Sequence, residues 1–254
     1  MTAGTANLLV PVTTQVGIFA RLAAGKDISN YSRARVALDP KSGPYKVAFD
    51  GCGVTNGLAG TLFASGLEGQ CDIVKTIIED LVAAGAHVSC NCLGLSRGGL
   101  ALMILAQILG ALPENVMERI DLNMCLFDAV PGNLVSSGFP FTGHGRGDLS
   151  NCRCLKRVLA IYPHEPLPDL SFHAPVLCKY PPPPCQVEED VTLGCHQGAL
   201  LQMRSGSQDR YVLASNISFR RILDFLVSVG TWLSPCVSFS DYLSVCLHVC
   251  LYAS

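Results

Sequence analysis

The sequence predicts an α/β fold, a mainly parallel sheet with crossover helices. Three observations carry that expectation. From residue 45 onward, apolar segments of strand and helix length follow the order strand, loop, helix, strand, helix, strand. Hydrophobic residues make up 49% of the 254 residues and charged residues only 15%, enough apolar material for one large core. Glycine and proline clusters punctuate the segment ends, where chain reversals belong.

Residues 1–44 read as an irregular or partly helical lead-in, closed by the turn cluster "DPKSGP". "YKVAF" (45–49) is a strand stopped by "DGCG", and a glycine-containing loop runs from there to about residue 68. Residues 70–84 form an amphipathic helix. Ile73, Val74, Ile77, Ile78, Leu81 and Val82 recur on one face, with Asp72, Lys75, Thr76, Glu79 and Asp80 opposite. Gly85 stands where the helix stops. "HVSCNCL" (87–93) is the second strand. Residues 100–109 are apolar on all sides, the mark of a helix buried on both flanks. "IDLNMCLF" (120–127) is the third strand, stopped by "DAVPGN".

Beyond this point the pattern loosens. Residues 154–162 fit a short helix or a strand, and 174–180 fit a strand ended by Pro181 to Pro184. Residues 216–232 form an amphipathic helix with Phe219, Ile222, Leu223, Leu226 and Val227 on one face. The organisation expected is a lead-in (1–44), an α/β domain (45–233) and a C-terminal tail (234–254) without clear periodicity.

Composition excludes several function classes. The net charge of −2 comes without any basic stripe, so nucleic acid is not an expected partner. The 13 cysteines include two C-x-C pairs, Cys90/Cys92 and Cys152/Cys154, but no C-x2-C spacing. Neither a metal site from Cys152, Cys154, Cys178 and Cys185 nor any other cofactor is therefore expected, and most cysteines read as small buried hydrophobes. The apolar stretch 8–22 holds Pro11, Thr13, Thr14 and Gln15 and lacks a basic leader, so it is not read as a secretory signal. No stretch reaches the ~20 clean apolar residues of a membrane-spanning helix. Compartment and oligomeric state stay open.

Chemistry concentrates at "GLSRGG", between a strand and a buried helix. Gly94-Leu95-Ser96-Arg97-Gly98 is a G-x-S-x-G sequence in the context a nucleophile elbow needs. Flanking glycines allow strand and helix to approach, and the helix N-terminus brings free N–H groups and a positive dipole beside the serine. A plain glycine-rich turn is the bland alternative. The chain order Ser, Asp, His then selects Asp128, directly after the third strand, as the acid; the alternative is an Asp that only caps its turn. His196, between glycines in "LGCHQGALL", is the chosen base, and His144 in "GHGRG" is the runner-up. His164 and His173 lie in proline-rich surroundings and read as surface residues, and His248 lies in the tail. The oxyanion donors expected are the N–H of Arg97 and that of Gly51 or Cys52 in the loop after the first strand. A cation in the first turn opposes the helix dipole, so Arg97 is expected to pair with Asp50, which would anchor that loop.

Together "FDG-x-G", "GLSRGG" and "LFD-x-VPG" resemble an α/β-hydrolase branch of bacterial secreted phospholipases and effector hydrolases with FDGTGN and GFSRGA motifs. The resemblance spans about residues 45–200. It implies a reduced α/β-hydrolase fold in which Ser96, Asp128 and His196 match the triad and Gly51 matches the first-strand loop. The first motif departs from the family pattern, with Cys52 and Val54 in place of Thr and Asn. Ala129 stands where a larger or more rigid residue is expected. The implied activity is hydrolysis of an ester, of a small molecule or of a lipid such as a phospholipid, with transient membrane-surface contact in the lipid case. The helix at 216–232 reads as a core helix, with a lid or lipid-facing element as the alternative. The rival reading of the whole chain is a catalytically inactive hydrolase-like fold serving as a binding module.

Overall fold

The computed structural model describes residues 15–32, 37–50, 66–130, 145–164, 175–192, 209–233 and 245–253. Among these, seven strands form one sheet in the order β1-β2-β7-β3-β4-β5-β6. They are β1 (Lys26–Asp27), β2 (Tyr45–Asp50), β3 (Val88–Leu95), β4 (Ile120–Phe127), β5 (Leu155–Pro163), β6 (Gln186–Thr192) and β7 (Val245–Ala253). All pairings are parallel except those of β7, which runs antiparallel to both its neighbours. The helices are α1 (Gln15–Leu22), α2 (Leu67–Ala83), α3 (Arg97–Gly110), the short α4 (Glu114–Met117) and α5 (Asp209–Ser228). The α/β expectation holds at this level.

Side chains alternate across a strand with period two, so each central strand feeds two cores. Cys90 and Cys92 of β3, Leu122, Met124 and Leu126 of β4, and Val158 and Ala160 of β5 face α2 and α3. Leu93 and Leu95, Cys125 and Phe127, and Leu159 and Ile161 face α1 and α5. The result is a three-layer sandwich. In α2 the buried set Leu67, Cys71, Val74, Ile78 and Leu81 keeps helical spacing, and Gly85, with φ 95°, follows the helix end as expected. The Cys71 thiol donates to the Ala101 carbonyl at 3.1 Å, tying α2 to α3. The run Gly98 to Ala106 of α3 is wholly buried, as an all-round apolar helix must be.

On the other face, Phe19 of α1 stacks on Phe219 of α5 with ring centroids 4.6 Å apart. The lead-in therefore contributes a packed helix and an edge strand to the fold. Asn91 in mid-β3 is buried and donates to the Val229 carbonyl and the Thr231 hydroxyl, while accepting from Asn123 of β4. This polar ladder fixes the end of α5 against the sheet, since buried amides must find partners.

Three expectations need correction. Residues 175–180 form no strand; only an isolated bridge joins Asp148 to Lys179, and Leu177 is exposed. The strand lies just beyond the prolines, as β6, whose "QVEEDVT" carries no apolar run because it is a solvent-facing edge. Helix α5 starts at Asp209 and ends at Ser228, earlier at both ends than its apolar stripe indicates, and Gly230 (φ 81°) lies in the turn that follows. Residues 245–253, read as part of a tail, are β7, the strand that bridges β2 and β3. Residues 154–162, left between helix and strand, are the buried parallel strand β5.

Candidate functional site

Strands β3 and β4 run in register to their ends, with Leu95 opposite Phe127. Ser96 and Asp128 are the next residues on each strand and therefore lie side by side at the carboxyl edge of the sheet. This is the edge where open α/β sheets place their ligands. Backbone bonds lock the arrangement. The Ser96 N–H donates to the Phe127 carbonyl at 2.9 Å, and the Ser96 carbonyl accepts from Val130 N–H at 3.3 Å. The Asp128 N–H donates to Ile161 of β5 at 2.8 Å.

Ser96 has φ 55° and ψ −119°, and Asp128 has φ 45°. They are the two non-glycine residues with positive φ among those described. Such conformations cost about 1–3 kcal/mol each and persist only where the surroundings impose them. Asp tolerates the left-handed region through its short polar side chain; serine has less excuse.

Ser96 also opens a helix. It is the N-cap of α3, a place where serine is favoured because its hydroxyl caps an early helix N–H from an extended backbone. Here the backbone is not extended and the side chain makes no capping bond. At 8% exposure the residue is recessed but not sealed.

The glycines explain how the turn is held. A Cβ on Gly94 would sit 2.4 Å from the Gly98 carbonyl oxygen, a backbone atom that cannot step aside. A Cβ on Gly99 would sit 2.6 Å from the Ala129 Cβ. Gly94 and Gly99 therefore set the approach of strand to helix, and Gly98 supplies the carbonyl that fills the space. Gly99 and Ala129 were not singled out as a contact by the motif; the doubled glycine in "SRGG" was the available signal. Ala129, where a larger residue was expected, is small because it meets the backbone of α3 at Gly99. Its carbonyl accepts from Val176 N–H at 2.8 Å, which draws the 175–180 segment under the same edge.

Arg97 and Gly98 open α3, and their N–H groups have no carbonyl one turn earlier to bond. They are the donors available beside Ser96. The Arg97 side chain is partly buried, and its Nε has no hydrogen-bond partner. Asp128 is completely buried.

Of the other expected site residues, Gly51, Cys52, His196 and His144 lie outside the described residues. So does the side chain of Asp50, and with it the expected pairing to Arg97. The Asp50 backbone ends β2 at the same carboxyl edge, pairing with Val245 after a register shift. One strand, β7, separates it from β3, a gap of ~10 Å between strand axes. His164 is exposed at the end of β5, on this same edge. The backbone of His248 pairs with Leu93 and Ala48 within β7. Among the described residues, no group of three His, Cys, Asp or Glu side chains is arranged to hold a metal ion. No described helix is long and apolar enough to cross a membrane.

Comparison with protein-family models, with curated proteins and with solved structures returned no match.

Proposed function

We propose that the chain is a serine hydrolase of ester bonds, on a reduced α/β-hydrolase fold. The observation that carries this reading is Ser96: an N-cap serine held at φ 55° and ψ −119°, with its hydroxyl not used for capping. A strained strand-to-helix serine is what presents a nucleophile above a sheet edge.

In this reading His196 takes the proton from the Ser96 hydroxyl, and the Ser96 Oγ attacks the acyl carbonyl. Asp128 orients the imidazole and stabilises its protonated form. The tetrahedral oxyanion receives the Arg97 N–H and the N–H of Gly51 or Cys52, assisted by the α3 dipole. Collapse releases the alcohol and leaves an acyl-enzyme, which water hydrolyses by the reverse proton route. The ester is that of a small molecule or a lipid, the latter on the strength of the sequence resemblance alone.

The test is labelling with a fluorophosphonate probe. Wild type takes the label, and Ser96→Ala does not. Replacing His196, His144 and His164 by Ala one at a time then identifies the base, with His196→Ala expected to remove labelling. Absence of labelling and of esterase activity in folded wild type would turn the assignment to a binding module.

A further inference from the structure

We propose that Cys152 and Cys154 form a redox site, a dithiol that a small hydroperoxide oxidises to a disulfide. The Sγ atoms of the two lie 3.5 Å apart in the turn that leads into β5. Cys152 lines a surface cavity of about 330 Å³, together with Gln107, Gly110, Asp148 and Leu149. An oxidant the size of hydrogen peroxide fits such a space.

The second C-x-C pair is a built-in contrast. Cys90 and Cys92 also have their Sγ atoms 3.5 Å apart. All four cysteines are buried, but Cys90 and Cys92 both lie on β3, hydrogen-bonded to β4 and β7 on either side. Alternate strand residues stand ~6.6 Å apart with parallel Cβ vectors. A disulfide needs Cβ atoms at about 3.8 Å, so closing this pair requires breaking the sheet. Cys154 is tied to β4 through its carbonyl, which accepts from Leu122 N–H at 2.8 Å, but Cys152 lies in the turn before β5. The chain reverses there, with Leu155 N–H donating to the Cys152 carbonyl at 3.0 Å.

Their chemistry differs in the same sense. The Cys154 thiol, bonded to the Cys152 sulfur, draws the Cys152 thiol below its ordinary value; burial opposes this, and the Leu155 and Cys154 N–H groups and the Lys156 ammonium assist it. The bond pushes Cys154 up in turn. Burial holds Cys92 well above the ordinary range. Cys152 is the one of the two that lines the cavity, so it is the sulfur that meets the oxidant and, as thiolate, attacks it.

The reaction balances as follows. The Cys152 thiolate attacks the terminal oxygen of the hydroperoxide, an S–O bond forms, and the O–O bond breaks. The alcohol, or water from hydrogen peroxide, leaves with the proton. Cys152 is then a sulfenic acid, oxidised by two electrons while the peroxide is reduced. The Cys154 sulfur attacks it, the S–S bond forms, and the hydroxyl leaves as water with the Cys154 proton.

The test uses the full chain. Reduced protein is exposed to stoichiometric hydrogen peroxide, residual thiols are alkylated, and the digest is read by mass spectrometry. The expected result is a 152–154 peptide that loses both alkylatable thiols and two hydrogens at least ~10-fold faster than the 90–92 peptide. Cys154→Ser leaves a sulfenic acid at Cys152 that dimedone traps, and Cys152→Ser gives neither disulfide nor sulfenic acid at Cys154. Equal rates at the two pairs, persistence of both Cys152 and Cys154 thiols, or a disulfide from Cys152 to nearby Cys185 overturns the proposal. The wild-type comparison alone decides if a variant fails to fold.

Discussion

The two ends of the parallel strands are built on opposite principles. At the amino end, charge is exposed and loosely paired: His87 contacts Asp121 at 2.9 Å, Lys156 reaches the same carboxylate at 3.6 Å, and all three are open to water. The backbone there is relaxed, with a glycine taking the positive φ after α2. At the carboxyl end, a serine and an aspartate take positive φ, the flanking residues are Gly94, Gly99 and Ala129, and the aspartate is sealed from solvent. One end satisfies the ordinary rules of a surface and the other breaks them at adjacent positions. Strain of this kind is retained where geometry matters more than stability. The comparison singles out Ser96 and Asp128 without reference to any motif.

Substitutions break that comparison to different degrees. The largest effect falls on Ser96→Ala, which is expected to lower ester hydrolysis at least ~1000-fold while leaving the fold intact. Steady-state rates on a chromogenic ester, beside a denaturation curve, check both halves. Asp128→Asn keeps the shape but not the charge, and a loss of ~100- to 10,000-fold in rate is expected; an unchanged rate would return Asp128 to the role of a turn residue. Gly94→Ala forces a Cβ against the Gly98 carbonyl and is expected to cost about 1–3 kcal/mol of unfolding free energy, read from a denaturation curve, with activity falling as the turn shifts. His87→Ala, at the amino end, is expected to leave hydrolysis unchanged and to move stability by less than about 1 kcal/mol, as for an exposed pair. Equal damage to activity from His87→Ala would erase the distinction between the ends.

Elements with a strong period were legible in the sequence. The strand at 120–127 matches β4, and the helix at 70–84 differs from α2 only at its ends. Their burial is one-sided or complete, so hydrophobic pattern reports it directly. Edge strand β6 was not legible because its two valines flank a run of three acidic residues, and solvent facing removes the apolar signal. β7 was missed for another reason. Its partners lie far away along the chain, so no local pattern announces a central position. At the site, the serine and the aspartate were legible from their places after strands. The Gly99–Ala129 contact was not, because it depends on how closely α3 approaches β4. The reactive difference between two identical C-x-C spacings was equally invisible: it arises from a strand in one case and a turn in the other.

The placement of β7 also bears on how the molecule comes to be folded. Among the described residues β2 and β3 make no direct ladder with each other; each is joined to the other through β7, which follows every other described strand along the chain. The β3-to-β6 ladder can assemble from neighbouring pieces of chain, but β1 and β2 join it through a strand that comes far later in the sequence. Pairings so distant in sequence are slow to form, because the closure entropy precedes any contact energy. Until β7 arrives, the flanks of β2 and β3 that it will cover are open edges. While the chain folds, that opening lies directly beside the strand that leads into Ser96.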